Sequence, residues 1–126
     1  MDKHVSRAAL RVTVLWLVAA GAGEVGADTT APRRVEVTAS RYRFEPSRIE
    51  VTKGDVVHLV VHSADTDHGL AIKAFKVKVP IPKGGEPVAV SFVASRAGTF
   101  LIECSEYCGS GHKRMKGELV VAERTQ

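Results

Sequence analysis

From Val35 onward the chain alternates apolar and polar residues with a period of two, and turn-forming residues interrupt the alternation at intervals. Val35, Val37 and Ala39 alternate with Glu36, Thr38 and Ser40. That period puts every second side chain on one face of an extended segment, so it predicts a half-buried strand and not a helix. Phe44-Glu45-Pro46-Ser47 turns the chain into Arg48-Ile49-Glu50-Val51, and Lys53-Gly54-Asp55 forms a hairpin-type turn. Val57, Leu59 and Val61 mark one face of the next strand, which ends in the polar loop SADTDHG. Val77, Val79 and Ile81 mark another before PKGGEP, VAVSFVA alternates around Val90 and Phe92, and Arg96-Ala97-Gly98 turns the chain again. TFLIEC and GELVVAE supply the last two strands. About seven short strands with turns between them predict an all-β, antiparallel β-sandwich forming a single domain.

The first 27 residues break this pattern. Lys3, His4, Arg7 and Arg11 make a positive start, Val12 to Gly23 is an apolar run of twelve, and Val25-Gly26-Ala27 ends in small residues. This is the form of an export signal. A membrane-spanning helix needs about 20 apolar residues, and extending the run backward to Ala8 meets Arg11. Residues 1–27 are therefore expected to be a signal peptide, cleaved or kept as a single anchor, with residues 28–126 as the folded domain. Either outcome puts the domain in the periplasm or on the outer face of the cytoplasmic membrane.

The formal charge is +4, and removing the segment takes three basic and two acidic residues, leaving fifteen against twelve. This mild excess is spread along the chain without a basic block, which argues against nucleic acid as a partner. The only tryptophan, Trp16, lies in the same segment.

Scarce residue types gather near the other end. Cys104 to Met115 reads CSEYCGSGHKRM and holds both cysteines, a histidine and the only methionine besides Met1. Sulfur and imidazole in one loop suit a soft or borderline metal, while two cysteines four apart in an exported chain can also close a disulfide. Structural zinc on Cys104, Cys108, His68 and His112 satisfies tetrahedral counting but leaves Met115 without a role, and a mononuclear blue-copper site needs only one cysteine. His68 reaches the motif if the loop after Val61 shares a pole of the sandwich with the loop between the last two strands. His58 and His62, on one face of a strand, are either solvated or a second metal pair. Tyr107 is either core packing or part of an electron path. Lys113, Arg114 and Lys116 are either a solvated cluster or a docking rim for an acidic partner, and an opposing acidic surface would have to come from Glu103, Asp65 and Asp67.

The motif Cys104, Glu106, Cys108, Gly109, His112, Met115 resembles the CuA loop of cytochrome c oxidase subunit II. Phe44 and Pro46 in RYRFEPSRIEVTKGD, and Asp65-Thr66-Asp67-His68-Gly69, resemble that family's first strands and its D-x-x-H-G ligand loop. The likeness runs from about Val35 to Val121 and implies a Greek-key, cupredoxin-like sandwich. It further implies a dinuclear copper centre in which Cys104 and Cys108 bridge both ions. His68 and Met115 complete one copper, and His112 with the backbone carbonyl of Glu106 completes the other. No catalytic residue is implied, because the ligands leave no open position. The implied role is one-electron transfer as subunit II, or a subunit II-like part, of a haem-copper oxidase. Its partners would be cytochrome c or another redox protein and oxidase subunit I, with membrane association through the N-terminal segment or the oxidase. A stand-alone electron carrier and a copper storage or delivery protein are the rival readings. Family members commonly place tryptophan where cytochrome c hands over its electron; here Tyr42 and Phe44 flank Arg43.

Overall fold

A computed structural model of the chain describes residue 21 and residues 31–125, so the expected export segment lies, apart from Gly21, outside the described residues. Nine strands follow one another: β1 (Arg33–Ser40), β2 (Arg43–Glu45), β3 (Arg48–Thr52), β4 (Val56–Ser63), β5 (His68–Ile72), β6 (Val77–Ile81), β7 (Val88–Val93), β8 (Gly98–Glu103) and β9 (Lys116–Ala122). Single 3-10 turns at Lys73–Phe75 and His112–Arg114 interrupt them. The strands form a four-stranded sheet in the order β2-β1-β4-β7 and a five-stranded sheet in the order β3-β9-β8-β5-β6.

The alternating residues fill the space between the sheets. Val37 and Ala39 of β1 and Val57, Leu59 and Val61 of β4 join Leu70, Ile72, Ile102, Leu119 and Val121 in one buried cluster. Burial of such side chains removes apolar surface from water and is the main force holding the layers together. Leu59→Ala, at a fully buried position, should therefore cost about 2–5 kcal/mol, whereas Val93→Ala, at a side chain 51% exposed, should stay within about 0.5 kcal/mol. Equilibrium urea unfolding checks both; equal midpoints for the two variants would contradict this core.

The sandwich matches the alternation, and antiparallel pairing holds between β1 and β2, β4 and β7, β5 and β6, β5 and β8, and β8 and β9. Two pairs are parallel instead, β1 with β4 and β3 with β9. Alternation says which face of a strand is buried but not which strand lies beside it. The polar stretch SADTDHG is also shorter as a loop than its composition suggests, because His68 and Gly69 open β5. All five β5 residues are buried. A strand covered on both faces has no alternation to read.

The pole that matters is built by three connections. The β1–β2 link meets the β4–β5 link where the Arg41 backbone N–H donates to Asp65 Oδ2 at 2.8 Å. It meets the β8–β9 loop where Arg41 Nε donates to the Cys108 carbonyl at 2.9 Å.

Candidate metal centre

The β8–β9 loop is folded on its own backbone. Cys104 N–H donates to the Met115 carbonyl at 3.2 Å, Met115 N–H to the His112 carbonyl at 3.2 Å, and His112 N–H to the Gly109 carbonyl at 3.1 Å. Gly109 has φ +136°, a region that suits glycine. The path turns the side chains of Cys104, Cys108, His112 and Met115 toward one another from opposite arms of the loop.

Each expected donor then has a near neighbour of the right kind. The sulfurs of Cys104 and Cys108 are 3.7 Å apart. His68 Nδ1 is 3.9 Å from Cys104 Sγ, and His112 Nδ1 is 3.7 Å from Cys108 Sγ. Met115 Sδ lies 3.8 Å from Cys108 Sγ, and the Glu106 carbonyl oxygen lies 3.1 Å from Cys104 Sγ. The donor atoms of His68, Cys104 and Cys108 all lie within 4.8 Å of one another. Sulfur and nitrogen donors sharing an ion at bond lengths near 2.0–2.3 Å and tetrahedral angles stand about 3.3–3.8 Å apart, so this donor set fits a soft metal. Both cysteines are free, at a separation far beyond the ~2 Å of an S–S bond.

Burial makes the Cys108 sulfur a poor anion by itself. The Cys108 thiol is pushed up to about 11, first by burial and then by its hydrogen bond to and charge repulsion with Cys104, against the opposing pull of Arg41. A bound cation reverses that preference, since thiolate is the form that ligates.

His68 is oriented from behind, by a contact that its own residue type does not announce. Its Nε2 is 2.7 Å from Asp65 Oδ1, three residues earlier. Burial raises the Asp65 carboxyl pKa, but the N–H bond from Arg41, the His68 contact and the N–H of Thr66 outweigh it and hold the group at about 2. An ionised Asp65 keeps the ring proton on Nε2, which leaves the Nδ1 lone pair facing Cys104. The D-x-x-H spacing is the available signal, and a strand start at His68 is what brings the two side chains together.

Glycines let the surrounding backbone close in. A Cβ at Gly69 would overlap the Ser105 hydroxyl and stand 3.0 Å from Glu106 N. Cβ atoms at Gly109 or Gly111 would overlap Tyr42, whose side chain lies over the metal loop.

Other sequence candidates fall outside this cluster. His58 Nδ1 bonds to Ser91 Oγ at 2.7 Å and His62 Nε2 to Thr38 Oγ1 at 3.2 Å. Four strand positions separate them, about 13 Å of rise, too far for one ion. Tyr107 is 77% exposed, so it is not core packing; its ring stands 5.8 Å from that of His112. The Glu106 side chain is exposed, and Lys113, Arg114 and Lys116 are exposed beside the loop.

Residues 8–121 match the family described as Cupredoxin-like domain. Cytochrome c oxidase subunit 2 of Thermus thermophilus is 34% identical over 89 residues, covering 71% of this chain and 65% of that protein. Against a second subunit 2 from the same species the identity is again 34%, and 52% of that protein is covered. The chain thus spans about half to two thirds of the length of these relatives. Nitrous-oxide reductase of Cupriavidus necator is 30% identical over 91 residues, 69% of this chain but only 14% of that enzyme. Among solved structures, a heme-copper terminal oxidase dimer superposes with TM-score 0.64 at 26% identity, covering 71% of this chain and 64% of its own. The periplasmic domain of subunit II of the Bradyrhizobium japonicum cytochrome oxidase gives TM-score 0.66 at 22% identity, covering 72% of this chain and 84% of its own, a likeness of fold.

Proposed function

The chain belongs to the cupredoxin-like domain family, and on that footing we propose that its centre binds two copper ions and carries one electron at a time, as subunit II or a short subunit II-like part of a haem-copper oxidase. The observation that carries this reading is the pair of buried free thiols 3.7 Å apart, each with its own imidazole 3.7–3.9 Å away. A mononuclear blue-copper site needs only one cysteine, and a single zinc on these two sulfurs and two imidazoles would leave Met115 and the Glu106 carbonyl unused, so the full set favours a pair of ions with Cys104 and Cys108 as bridges. His68 and Met115 would complete one ion, and His112 with the Glu106 carbonyl the other. Copper bound there would supply a reversible one-electron couple spread over both ions through sulfur. The protein contributes burial, which excludes water, and a fixed backbone, which resists ligand movement as charge changes. Six donors leave no position for a substrate, which favours relay over chemistry on a bound molecule. Export by residues 1–27 would deliver residues 28–126 to the periplasm or the outer face of the membrane, where a redox protein such as cytochrome c would be the donor and oxidase subunit I the neighbour. The likeness to cytochrome c oxidase subunits 2 supports those assignments.

Copper-to-protein stoichiometry with EPR on the purified chain tests the centre. Two coppers per chain and hyperfine structure from one electron shared by both are expected. One copper with a blue-copper spectrum, or zinc retained after copper has been offered, would sink the reading.

Two substitutions grade the ligands. Met115→Leu should keep both coppers and mainly shift the potential, because a thioether is a weak axial ligand. Asp65→Ala removes the group that orients His68 and should lower copper affinity by about 10–100-fold, measured by competition with a chelator. Unchanged affinity would show that the imidazole needs no such support.

A further inference from the structure

Beside the centre lies an open cleft of about 690 Å³. Lys73, Lys76, Lys78, Lys113 and Lys116 line it with a single carboxylate, Glu103. Its floor includes Cys104, His112 and Met115, three of the six donor residues. Five ammonium groups against one carboxylate leave four net positive charges around an opening that ends on the metal ligands. Glu103 is held by Lys73, Nζ to Oε2 at 2.9 Å, and no ion pair engages Lys76, Lys78, Lys113 or Lys116 among the described residues.

The lysines do not sit on a floppy loop. Phe75, inside the turn that carries Lys73 and Lys76, packs edge-on against Phe100 with ring centres 4.8 Å apart and against Phe92 at 5.3 Å. Arg96 lies over the rings of Phe75 and Phe100 at 5.8 and 5.4 Å and donates to the Ala74 carbonyl at 2.9 Å. Lys78 stands on β6, and Lys113 and Lys116 flank Met115. Charges carried on packed elements keep a fixed pattern, which a complementary surface can match.

A second, smaller cleft at the centre differs. Asp67 and Glu106 lie there with His68, and Asp67 accepts the Lys83 N–H at 2.7 Å. Of the acidic residues near the centre, Glu103 is paired with Lys73 and Asp65 is held by His68 and the Arg41 backbone N–H, while Asp67 accepts only the Lys83 backbone N–H and Glu106 is exposed, leaving two carboxylates on that side against the five lysines of the cleft. We infer that the lysine-lined cleft is the docking surface for a redox protein with an acidic face, seated so that its carboxylates meet the lysines and its redox group faces the His112–Met115 side of the centre. That the partner is a redox protein rests on the copper-relay reading; that its face is acidic rests on the lysines alone.

The test uses the full chain and two small c-type cytochromes, one acidic and one basic. Binding to the metal-free chain is followed by amide shifts at low and at moderate salt, and electron transfer to the copper-loaded chain by stopped flow. The acidic cytochrome should shift residues 73–78 and 113–116, and its association should weaken steeply as salt rises, since screening acts within about 8 Å at physiological ionic strength. The double variant Lys76→Glu and Lys78→Glu should slow its association at low salt by about tenfold or more. The equally large charge change Arg33→Glu and Arg34→Glu, at the far end of β1, should alter it by less than about twofold. Faster or tighter low-salt association of the basic cytochrome, or indifference of the acidic one to the lysine reversals, would overturn the surface. Reduction of the loaded chain by ascorbate separates the two readings. A chain that ascorbate reduces but that ignores the reversals loses only the docking surface. One that binds the acidic cytochrome through these lysines yet takes up no electron loses only the relay.

Discussion

Cys104→Ser and Cys108→Ser are each expected to abolish the signal of an electron shared between two coppers while leaving the sandwich folded. The two sulfurs are 3.7 Å apart with one imidazole beside each, so under the proposed two-copper reading each ion would need both thiolates. Serine keeps the size but not the softness or the acidity of the group, and a hydroxyl does not bridge two coppers equally. Copper content should fall from two per chain to one or none, and any remaining hyperfine pattern should come from a single nucleus. Circular dichroism should be unchanged, because both cysteines belong to the loop and not to a strand. Survival of the shared-electron spectrum in either variant would mean that the bridge lies elsewhere.

Gly69→Val should have nearly as large an effect without touching a donor. The loop residues Ser105 and Glu106 press against Gly69 so closely that even one added carbon overlaps the Ser105 hydroxyl, and Ser105 N–H reaches the Gly69 carbonyl at 3.4 Å. A branched side chain there must lift the metal loop from β5, separating His68 from the cysteines. Overpacking of this kind costs about 1–3 kcal/mol, and copper affinity should fall by about tenfold or more with it. Gly85→Ala is the control, since its Cβ would meet only Pro82 at an ordinary 3.5 Å; it should stay within about 0.5 kcal/mol. Urea unfolding of the metal-free protein and chelator competition give the two readouts, and wild-type copper affinity in Gly69→Val would show that the close approach is dispensable.

Much of this architecture is legible from Val35 onward because half-buried strands write their facing into the chain. Val57, Leu59 and Val61 announce β4 so clearly that all three are fully buried. The strand β5 is illegible by the same rule: GLAI, after His68, shows no alternation because the strand is covered on both sides. The parallel pairings of β1 with β4 and of β3 with β9 are equally hidden, since neighbours in a sheet are chosen by long-range packing that no local period records. At the centre, the loop residues stand out by their chemistry, and the structure brings His68 to them from 36 positions away. What the motif does not announce is the support around it. Asp65 is signalled only by its D-x-x-H spacing, and Arg41 and Tyr42 are ordinary residue types in a linking segment, given a task by the folded pole alone.

The place of β9 has a consequence for the order of assembly. Among the described residues it is the last strand in sequence, yet an interior one in its sheet, lying between β3 and β8. A chain synthesised from its N-terminus reaches β9 with β3 and β8 still lacking their common neighbour. Joining β9 to β3 pairs Arg48 with Glu118 and Thr52 with Ala122, the kind of late, non-local contact that slows folding. Met115, His112 and both cysteines lie just ahead of β9, so their loop is drawn shut by the same closing step. Until then the thiols belong to an open segment, accessible to oxidants and to stray metals alike. On this topology the donors of the loop would be held together only once β9 has joined β3 and β8, and that is the stage at which the proposed copper site would be complete.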